Sequence, residues 1–242
     1  DKKELKGIRE KGGRCYIGAA ATAADLQSSP LLQSMFPRLY AHLKLVASTP
    51  IRNMGTLGGN LVNASPIGDL SIFFLALDSS IVLNKNGNRR TMKLRDFYKG
   101  YKTLDKVPDE FLETLFFDIP EKTARFNFEK VSKRTHLDIA SVNSACLLKM
   151  QGNVVQKAHV SAGGVSPIPL YLERTSAALQ GREVNSATLR EAAAILQEEI
   201  APISDTRGSA AYKRLLARQL FFVHFMELGF GEAGWKEMMV KE

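Results

Sequence analysis

The chain has 242 residues, a formal charge of +8 and a hydrophobic content of 45%, values typical of a globular protein of one or two domains. It lacks both an apolar run of the roughly 20 residues that a membrane helix requires and a secretory signal at its start, so we expect a cytoplasmic protein without a membrane segment. Its basic residues are interspersed with acids, without the aromatic residues of a nucleic-acid-binding surface, so we expect no nucleic-acid partner.

The first elements form a small scaffold. Residues 15–21 predict a short buried strand, and Thr22 followed three residues later by Asp25 predicts a capped helix. Apolar residues then recur every three or four positions from Leu31 to Ala47, which predicts helical structure across that segment.

Residues 49–70 are the most informative segment, because they combine glycines, small polar residues and one carboxylate. The pair Gly58-Gly59 predicts a loop whose backbone adopts conformations closed to other residues, so that successive N–H groups converge on an anion such as a phosphate. An ordinary loop turn is the alternative for the glycine pair. Asp69 precedes an apolar run, where a carboxylate either caps a helix or binds hydroxyl groups, and the two roles are compatible.

The next segment predicts strands. Residues 80–84 and 91–94 flank an Asn-Gly turn and predict a hairpin, and residues 113–119 predict a strand that ends at Pro120. The polar residues that follow predict a boundary between two domains, 1–122 and 123–242.

The second half predicts strands first and helices afterwards. Residues 125–132, 140–150 and 154–163 predict three strands, and residues 170–179, 186–200 and 209–228 predict helices. The fold class is therefore α+β. Lys130 lies in a strand of alternating character, which by itself predicts a lysine that faces solvent.

Four ordered blocks resemble the flavoproteins of the molybdenum hydroxylases, the family of xanthine dehydrogenase and of the carbon monoxide dehydrogenase medium subunit. The first is RNMGTLGGN followed by SPIGD in residues 52–69, which resembles the FAD-binding signature. The others are FEKVSKRTHLDIASVN at 128–143, SAGGVSPIP at 161–169 and PISDTRGSAAY at 202–212. Asn60 after the glycine pair favours the xanthine dehydrogenase type.

The resemblance implies an FAD-binding domain of the PCMH type, followed by a C-terminal domain with a three-stranded antiparallel sheet and helices. In the family a small βα unit precedes the point where this sequence begins, and that unit carries another phosphate-binding loop. The resemblance therefore implies that the chain lacks its N-terminal subdomain, and that FAD is held in this chain or in a site that the missing part completes.

The resemblance also implies the site residues. Thr56, Leu57, Gly58, Gly59 and Asn60 correspond to positions that contact FAD phosphates and the adjoining sugar chain. The resemblance further assigns an FAD-hydroxyl acceptor to Asp69, an apolar flavin contact to Leu115, for which a core position is the alternative, and a tuning role beside the isoalloxazine ring to Lys130. No catalytic residue and no metal ligand is predicted.

The function implied is that of an oxidoreductase component. It binds FAD, takes electrons from [2Fe–2S] clusters and passes them to NAD⁺ or another acceptor, while molybdopterin and the clusters reside on partner chains or domains. Cys15 and Cys146 are too few to hold a cluster, which needs about four cysteines. The alternative is a structural or assembly subunit that keeps the fold and binds no flavin.

Overall fold

The computed structural model describes residues 5–134 and 137–230. His136, which the sequence places in a turn, lies outside the described residues. Within these residues, no helix combines the length and the apolar composition needed to cross a membrane.

The elements of the first half alternate between short strands and short helices. In chain order they are β1 (Ile8–Lys11), β2 (Arg14–Gly18), α1 (Ala23–Ser28), α2 (Pro30–Met35), α3 (Leu39–Lys44), α4 (Thr49–Met54), α5 (Leu57–Val62), α6 (Asp69–Leu75), β3 (Ser80–Lys85), β4 (Asn88–Lys93), α7 (Leu94–Phe97), β5 (Tyr98–Gly100), β6 (Thr103–Leu104) and β7 (Phe111–Asp118).

The first sheet is antiparallel and has the strand order β1-β2-β7-β3-β4. Leu115 lies in the central strand β7, opposite Ile17 of β2 and Ile81 of β3, and all three side chains are buried. The predicted hairpin is confirmed: β3 and β4 pair across Asn86 and Gly87, which both adopt the left-handed conformation that a tight turn requires.

The helices of the first half confirm one prediction and correct another. Thr22 and Asp25 form a capping box at the start of α1, as predicted. The helical segment predicted from Leu31 to Ala47 is instead divided into α2 and α3. The break falls at Phe36, because Pro37 disfavours helical geometry in the residue before it and lacks an N–H to donate.

The second half forms a sheet covered by helices. Its elements are β8 (Ala124–Val131), β9 (Val142–Gln151), β10 (Val154–Gly163), β11 (Leu170–Tyr171), α8 (Glu173–Leu179), α9 (Ser186–Glu199) and α10 (Ala210–Glu227). The predicted three strands are present, but the sheet has the order β11-β10-β9-β8, with one strand more than expected. The two-residue β11 pairs with β10, and the helix expected from residue 170 therefore begins at 173.

The two halves pack directly on each other through α6. Phe73 of α6 contacts Phe126 of β8, with ring centroids 4.5 Å apart. Ser161 Oγ in β10 donates a hydrogen bond to the Ile72 carbonyl oxygen at 2.7 Å. The predicted division of the chain at residues 122 and 123 stays a prediction, and residues on both sides of it contribute to the site described below.

Two buried histidines predict that acid destabilises the fold. Burial lowers the pKa of His42 to about 4 and that of His224 to about 3. Both are therefore neutral in the folded chain, and the unfolded chain takes up their protons as the pH falls below about 6.5. Their contribution to stability is complete above that pH and is lost as the pH falls.

We expect His42→Leu to reduce the acid dependence of the unfolding free energy by about 1.4 kcal/mol per pH unit between about pH 6 and pH 4.5, because one titrating group is removed. Urea unfolding at a series of pH values measures this slope. An identical slope in the variant and the wild type would show that His42 is not held neutral.

Candidate functional site

The glycine pair lies inside a helix. Gly58 and Gly59 belong to the first turn of α5, and neither adopts a left-handed φ. The expectation of a loop with unusual backbone conformations is therefore wrong. Thr56, the residue before the helix, is its N-cap, which explains why a short glycine-containing helix begins at this point.

The backbone N–H groups of this turn are already bonded within the protein. Those of Leu57 and Gly58 donate to carbonyl oxygens in residues 19–21, both at 2.8 Å. That of Gly59 donates to Thr56 Oγ1 at 3.0 Å. The prediction that these amides converge on an anion is wrong, because the chain itself supplies their acceptors.

The two glycines have different surroundings. Gly58 is buried, and a Cβ at its position would lie 2.8 Å from Ala19 Cβ, so glycine allows the helix to approach the end of β2. Gly59 is exposed, and Leu57 is fully buried in the core. Of these three residues, only Gly59 is therefore exposed at the surface of α5.

A cavity of about 170 Å³, here called the α5 cavity, opens beside this helix. Its lining includes Val46, Ala47, Arg52, Thr56, Gly59 and Asn60. The Arg52 guanidinium is buried and donates to the carbonyl oxygens of Val46 and Ala47 at 2.9 and 3.0 Å, which holds the α3–α4 connection in place as one wall.

Asn60 connects α5 with the start of α6. Its Oδ1 accepts hydrogen bonds from Ser71 N and Ser71 Oγ at 3.3 and 3.4 Å. Asn60 also lines the α5 cavity. Its side-chain N–H₂ group therefore remains as a donor for a bound molecule.

Asp69 is not the cap of α6. Gly68 occupies the N-cap position, and Asp69 is the first helical residue. Its carboxylate instead bonds to the second sheet: Oδ2 accepts from Lys130 Nζ at 2.8 Å, and Oδ1 accepts from Asn143 Nδ2 at 2.7 Å.

Lys130 is buried, contrary to the solvent-facing position that its strand pattern predicts. Its side chain is 3% exposed, and that of Asp69 is 12% exposed. The ammonium group also donates to the Leu45 carbonyl oxygen at 2.8 Å. The alternating pattern misleads here because α6 and the end of α3 cover this face of the sheet.

Burial and the neighbouring side chains shift the pKa of Asp69 in opposite directions. Burial raises the pKa of Asp69 above its usual range, while the charge of Lys130 and the hydrogen bonds from Lys130 and Asn143 act in the opposite direction. Without these partners, burial would raise the pKa of this carboxylate further. The protonation state of Asp69 therefore depends on side chains that the second sheet supplies.

A larger cavity of about 530 Å³, here called the interdomain cavity, is lined in part by the residues just before Asp69. Residues 65–67 form one wall, and Ser141 and Gly164 of the second half form another. Lys102, Asp205, Arg207 and Lys213 are its charged lining residues. Ile67 lines this cavity and Leu70 lines the α5 cavity, so Asp69 lies in the segment between them.

Leu115 is not among the residues that line either cavity. Its side chain is fully buried in the core of the first sheet, as the alternative interpretation expected, and a ligand contact there stays a prediction. Sequence reasoning missed Asn143 and Arg52. Asn143 could have been found by pairing the predicted strands, since it lies directly opposite Lys130.

Gly58→Ala should destabilise the fold by about 1–3 kcal/mol, because the added methyl group overlaps Ala19 and forces α5 away from β2. Gly100→Ala is the matched control, since a Cβ there has no neighbour closer than 3.8 Å, and it should change stability by less than about 0.5 kcal/mol. Chemical denaturation measures both. Equal effects of the two substitutions would contradict the close packing of α5.

Comparison with known proteins identifies both halves. Residues 3–121 match the FAD binding domain in molybdopterin dehydrogenase, and residues 128–228 match the CO dehydrogenase flavoprotein C-terminal domain. The chain is 31% identical over 218 residues to the carbon monoxide dehydrogenase medium chain of Hydrogenophaga pseudoflava, which covers 90% of this chain and 75% of that one. It is 28% identical over 243 residues to xanthine dehydrogenase of Oryza sativa subsp. japonica, covering 93% of this chain and 18% of that protein.

Solved structures agree with this assignment. Carbon monoxide dehydrogenase from Hydrogenophaga pseudoflava, in a form that lacks the Mo-pyranopterin moiety, superposes with a TM-score of 0.88 at 28% identity over 96% of this chain and 80% of that one. Quinoline 2-oxidoreductase from Pseudomonas putida 86 gives 0.83 at 27% identity over 94% and 79%. The expected order, an FAD-binding domain and then a C-terminal flavoprotein domain, is confirmed, and the chain belongs to the FAD-binding oxidoreductase components of the molybdenum hydroxylase family.

Proposed function

We propose that the chain is the electron-transfer component of a molybdenum hydroxylase, taking electrons from [2Fe–2S] clusters and passing them to NAD⁺ or another acceptor. One observation carries the proposal: a buried carboxylate, Asp69, is held by Lys130 and Asn143 in the segment between two cavities. The smaller cavity suits part of a dinucleotide, and the larger one suits an acceptor next to it.

The residues present fit FAD at the α5 cavity. Thr56, Gly59 and Asn60 all line it, and they offer a hydroxyl group, an exposed backbone and an amide N–H₂ donor. Leu57 and Gly58 are buried, so we propose that they shape the helix and that the other three contact the coenzyme. This division narrows the set of contacts that the sequence motif implies.

Asp69 and Lys130 supply the charged part of the proposed site. Each Asp69 oxygen accepts one hydrogen bond within the protein and keeps a lone pair for a coenzyme hydroxyl group. The Lys130 ammonium donates two of its three protons to Asp69 and Leu45 and has one left. FAD, when bound, supplies chemistry that links one-electron carriers to a two-electron acceptor, and a nearby ammonium favours its reduced, anionic form.

The interdomain cavity is the proposed place of the electron acceptor. Lys102, Arg207 and Lys213 contribute three positive charges to its lining and Asp205 one negative charge, a balance that favours an anionic acceptor such as NAD⁺. Tyr101 also lines this cavity and is 66% exposed, so its ring offers an aromatic face for stacking.

The rest of the enzyme is proposed to reside on partners. Molybdopterin and the [2Fe–2S] clusters would belong to other chains or domains, and this chain would dock against them. Asn60 after the glycine pair favours the xanthine dehydrogenase type. The substrate would react at the molybdenum site on a partner, and no side chain described here needs to act on it.

A specific observation favours the alternative, a subunit that keeps the fold for assembly and binds no flavin. The first-turn amides of α5 are all bonded within the chain, so a phosphate gains no free backbone donors from Leu57, Gly58 or Gly59. Titration of the purified chain and of the assembled complex with FAD separates the two functions. Quenched flavin fluorescence supports the flavoprotein, and its absence in the assembled complex supports the alternative.

Asp69→Asn should weaken FAD binding at least tenfold, because an amide cannot accept from both Lys130 and Asn143 and also from a coenzyme hydroxyl group. Fluorescence titration measures the dissociation constant. Asp118→Asn is the control, since that carboxylate pairs with Arg14 on the surface and is 80% exposed. Unchanged affinity in the Asp69 variant would remove this residue from the site.

Lys130→Met should lower the flavin midpoint potential by about 30–60 mV, which corresponds to losing a charge-assisted interaction of about 1.5–3 kcal/mol in a two-electron couple. Lys130→Arg keeps the charge and should restore most of the potential. Spectroelectrochemical titration of both variants measures the effect. Equal potentials in the methionine variant and the wild type would show that the ammonium is purely structural.

A further inference from the structure

Two side chains of the second sheet converge on one carboxylate of the first domain. Lys130 of β8 and Asn143 of β9 are directly opposite each other in the strand register. Lys130 bonds to Oδ2 of Asp69 and Asn143 bonds to Oδ1, so each oxygen has its own donor. Asn143 additionally donates to the Ile67 carbonyl oxygen at 3.2 Å, which anchors the segment leading to Asp69.

The orientation of the Asn143 amide follows from its partners. Both Asp69 Oδ1 and the Ile67 carbonyl oxygen are acceptors, so only the N–H₂ group can face them. The amide oxygen is buried without a hydrogen-bond partner among the described residues. It lies against Gly163, where a Cβ would overlap it. The amide is thus fixed at the cost of one unsatisfied acceptor, which is unusual for a side chain with only a packing role.

Asn143 also influences the charge of Asp69. The charged group that faces this carboxylate is Lys130, while Asn143 supplies a neutral donor from the adjacent strand. Without that donor, only Lys130 opposes the effect of burial on the pKa of Asp69, and the carboxyl group gains a proton more easily. A protonated Asp69 donates one hydrogen bond and accepts fewer, which reduces its capacity to hold a coenzyme hydroxyl group.

We infer that Asn143 is a positioning residue for the flavin, which orients the Asp69 carboxylate and thereby makes the second domain part of the coenzyme site. The inference rests on the proposed FAD binding and deepens it. It makes FAD affinity depend on the strand β9, which provides no predicted contact to the coenzyme.

Two substitutions at this position give opposite expectations. Asn143→Leu removes the donor, so FAD affinity should fall about tenfold at the acidic end of the pH series and recover as a rising pH ionises Asp69. Asn143→Asp offers a donor only while one carboxyl group of the new pair is protonated, so its FAD affinity should fall as the pH rises. The wild-type pH profile of FAD affinity is the reference for both variants.

Asn84 provides matched controls in the first sheet, since its Nδ2 donates to the Glu113 carboxylate at 2.8 Å. Asn84→Leu and Asn84→Asp should give the wild-type pH profile of FAD affinity. Fluorescence titration at each pH measures FAD affinity in all five proteins. Parallel profiles in the Asn143 and Asn84 variants, with FAD still bound, would overturn the role of Asn143 and leave the proposed function intact.

Absence of FAD binding by the wild type, both in this chain and in the assembled complex, would instead refute the proposed function, and thermal unfolding without FAD then decides the role of Asn143. A higher pKa of Asp69 in the folded Asn143→Leu variant means that its stability falls as the pH rises through that pKa. We expect its unfolding midpoint to decline with rising pH relative to Asn84→Leu. Superimposable pH dependences would overturn the inference.

Discussion

The ion pair between Asp69 and Lys130 joins the two halves of the molecule at a buried point. Ile67 and Leu70, on either side of Asp69 in the chain, line the two cavities. Removing two such charges from water costs several kcal/mol for each ion, and their attraction offsets this only if the remaining hydrogen-bonding groups are satisfied. Asn143 and the Leu45 carbonyl oxygen provide those bonds. The pair is therefore stable only when α3, α6, β8 and β9 are assembled together.

This dependence explains why a binding site can be sensitive to parts of the chain that a ligand does not contact. Breaking one side of a buried pair costs about 3–5 kcal/mol, since an uncompensated charge remains. The second domain thus controls the geometry and the charge of a carboxylate that belongs to the first. The packing of Phe73 on Phe126 reinforces the same junction with apolar contacts.

The glycine-rich segment shows how a correct family assignment can rest on an incorrect local mechanism. The motif identifies the family, but its glycines matter because they lack a side chain. Gly58 allows α5 to pack against the end of β2, and Gly59 leaves part of the helix backbone exposed. Their conformational freedom is not used. The site geometry depends on Thr56 as an N-cap and on Asn60 as a link to α6.

Much of the fold follows from sequence pattern, and the site follows only in part. The β3–β4 hairpin, the α1 capping box and the long strands of the second sheet have strong local signals, and they are confirmed. The break before Pro37 was missed because the apolar periodicity continues from Leu31 to Ala47. The strand β11 was missed because a two-residue pairing leaves only a weak signal in the sequence. The burial of Lys130 and the role of Asn143 depend on contacts between domains, which no local pattern contains.

The crystal structure of the chain grown with FAD tests the central claim most directly. The account predicts that the coenzyme contacts Thr56, Gly59 and Asn60. One of its hydroxyl groups should donate a hydrogen bond to the Asp69 carboxylate, while Lys130 stays bonded to Oδ2 and Asn143 to Oδ1 of Asp69. A coenzyme bound elsewhere, or a structure in which Asp69 is enclosed by its protein partners and out of reach of the ligand, would contradict it.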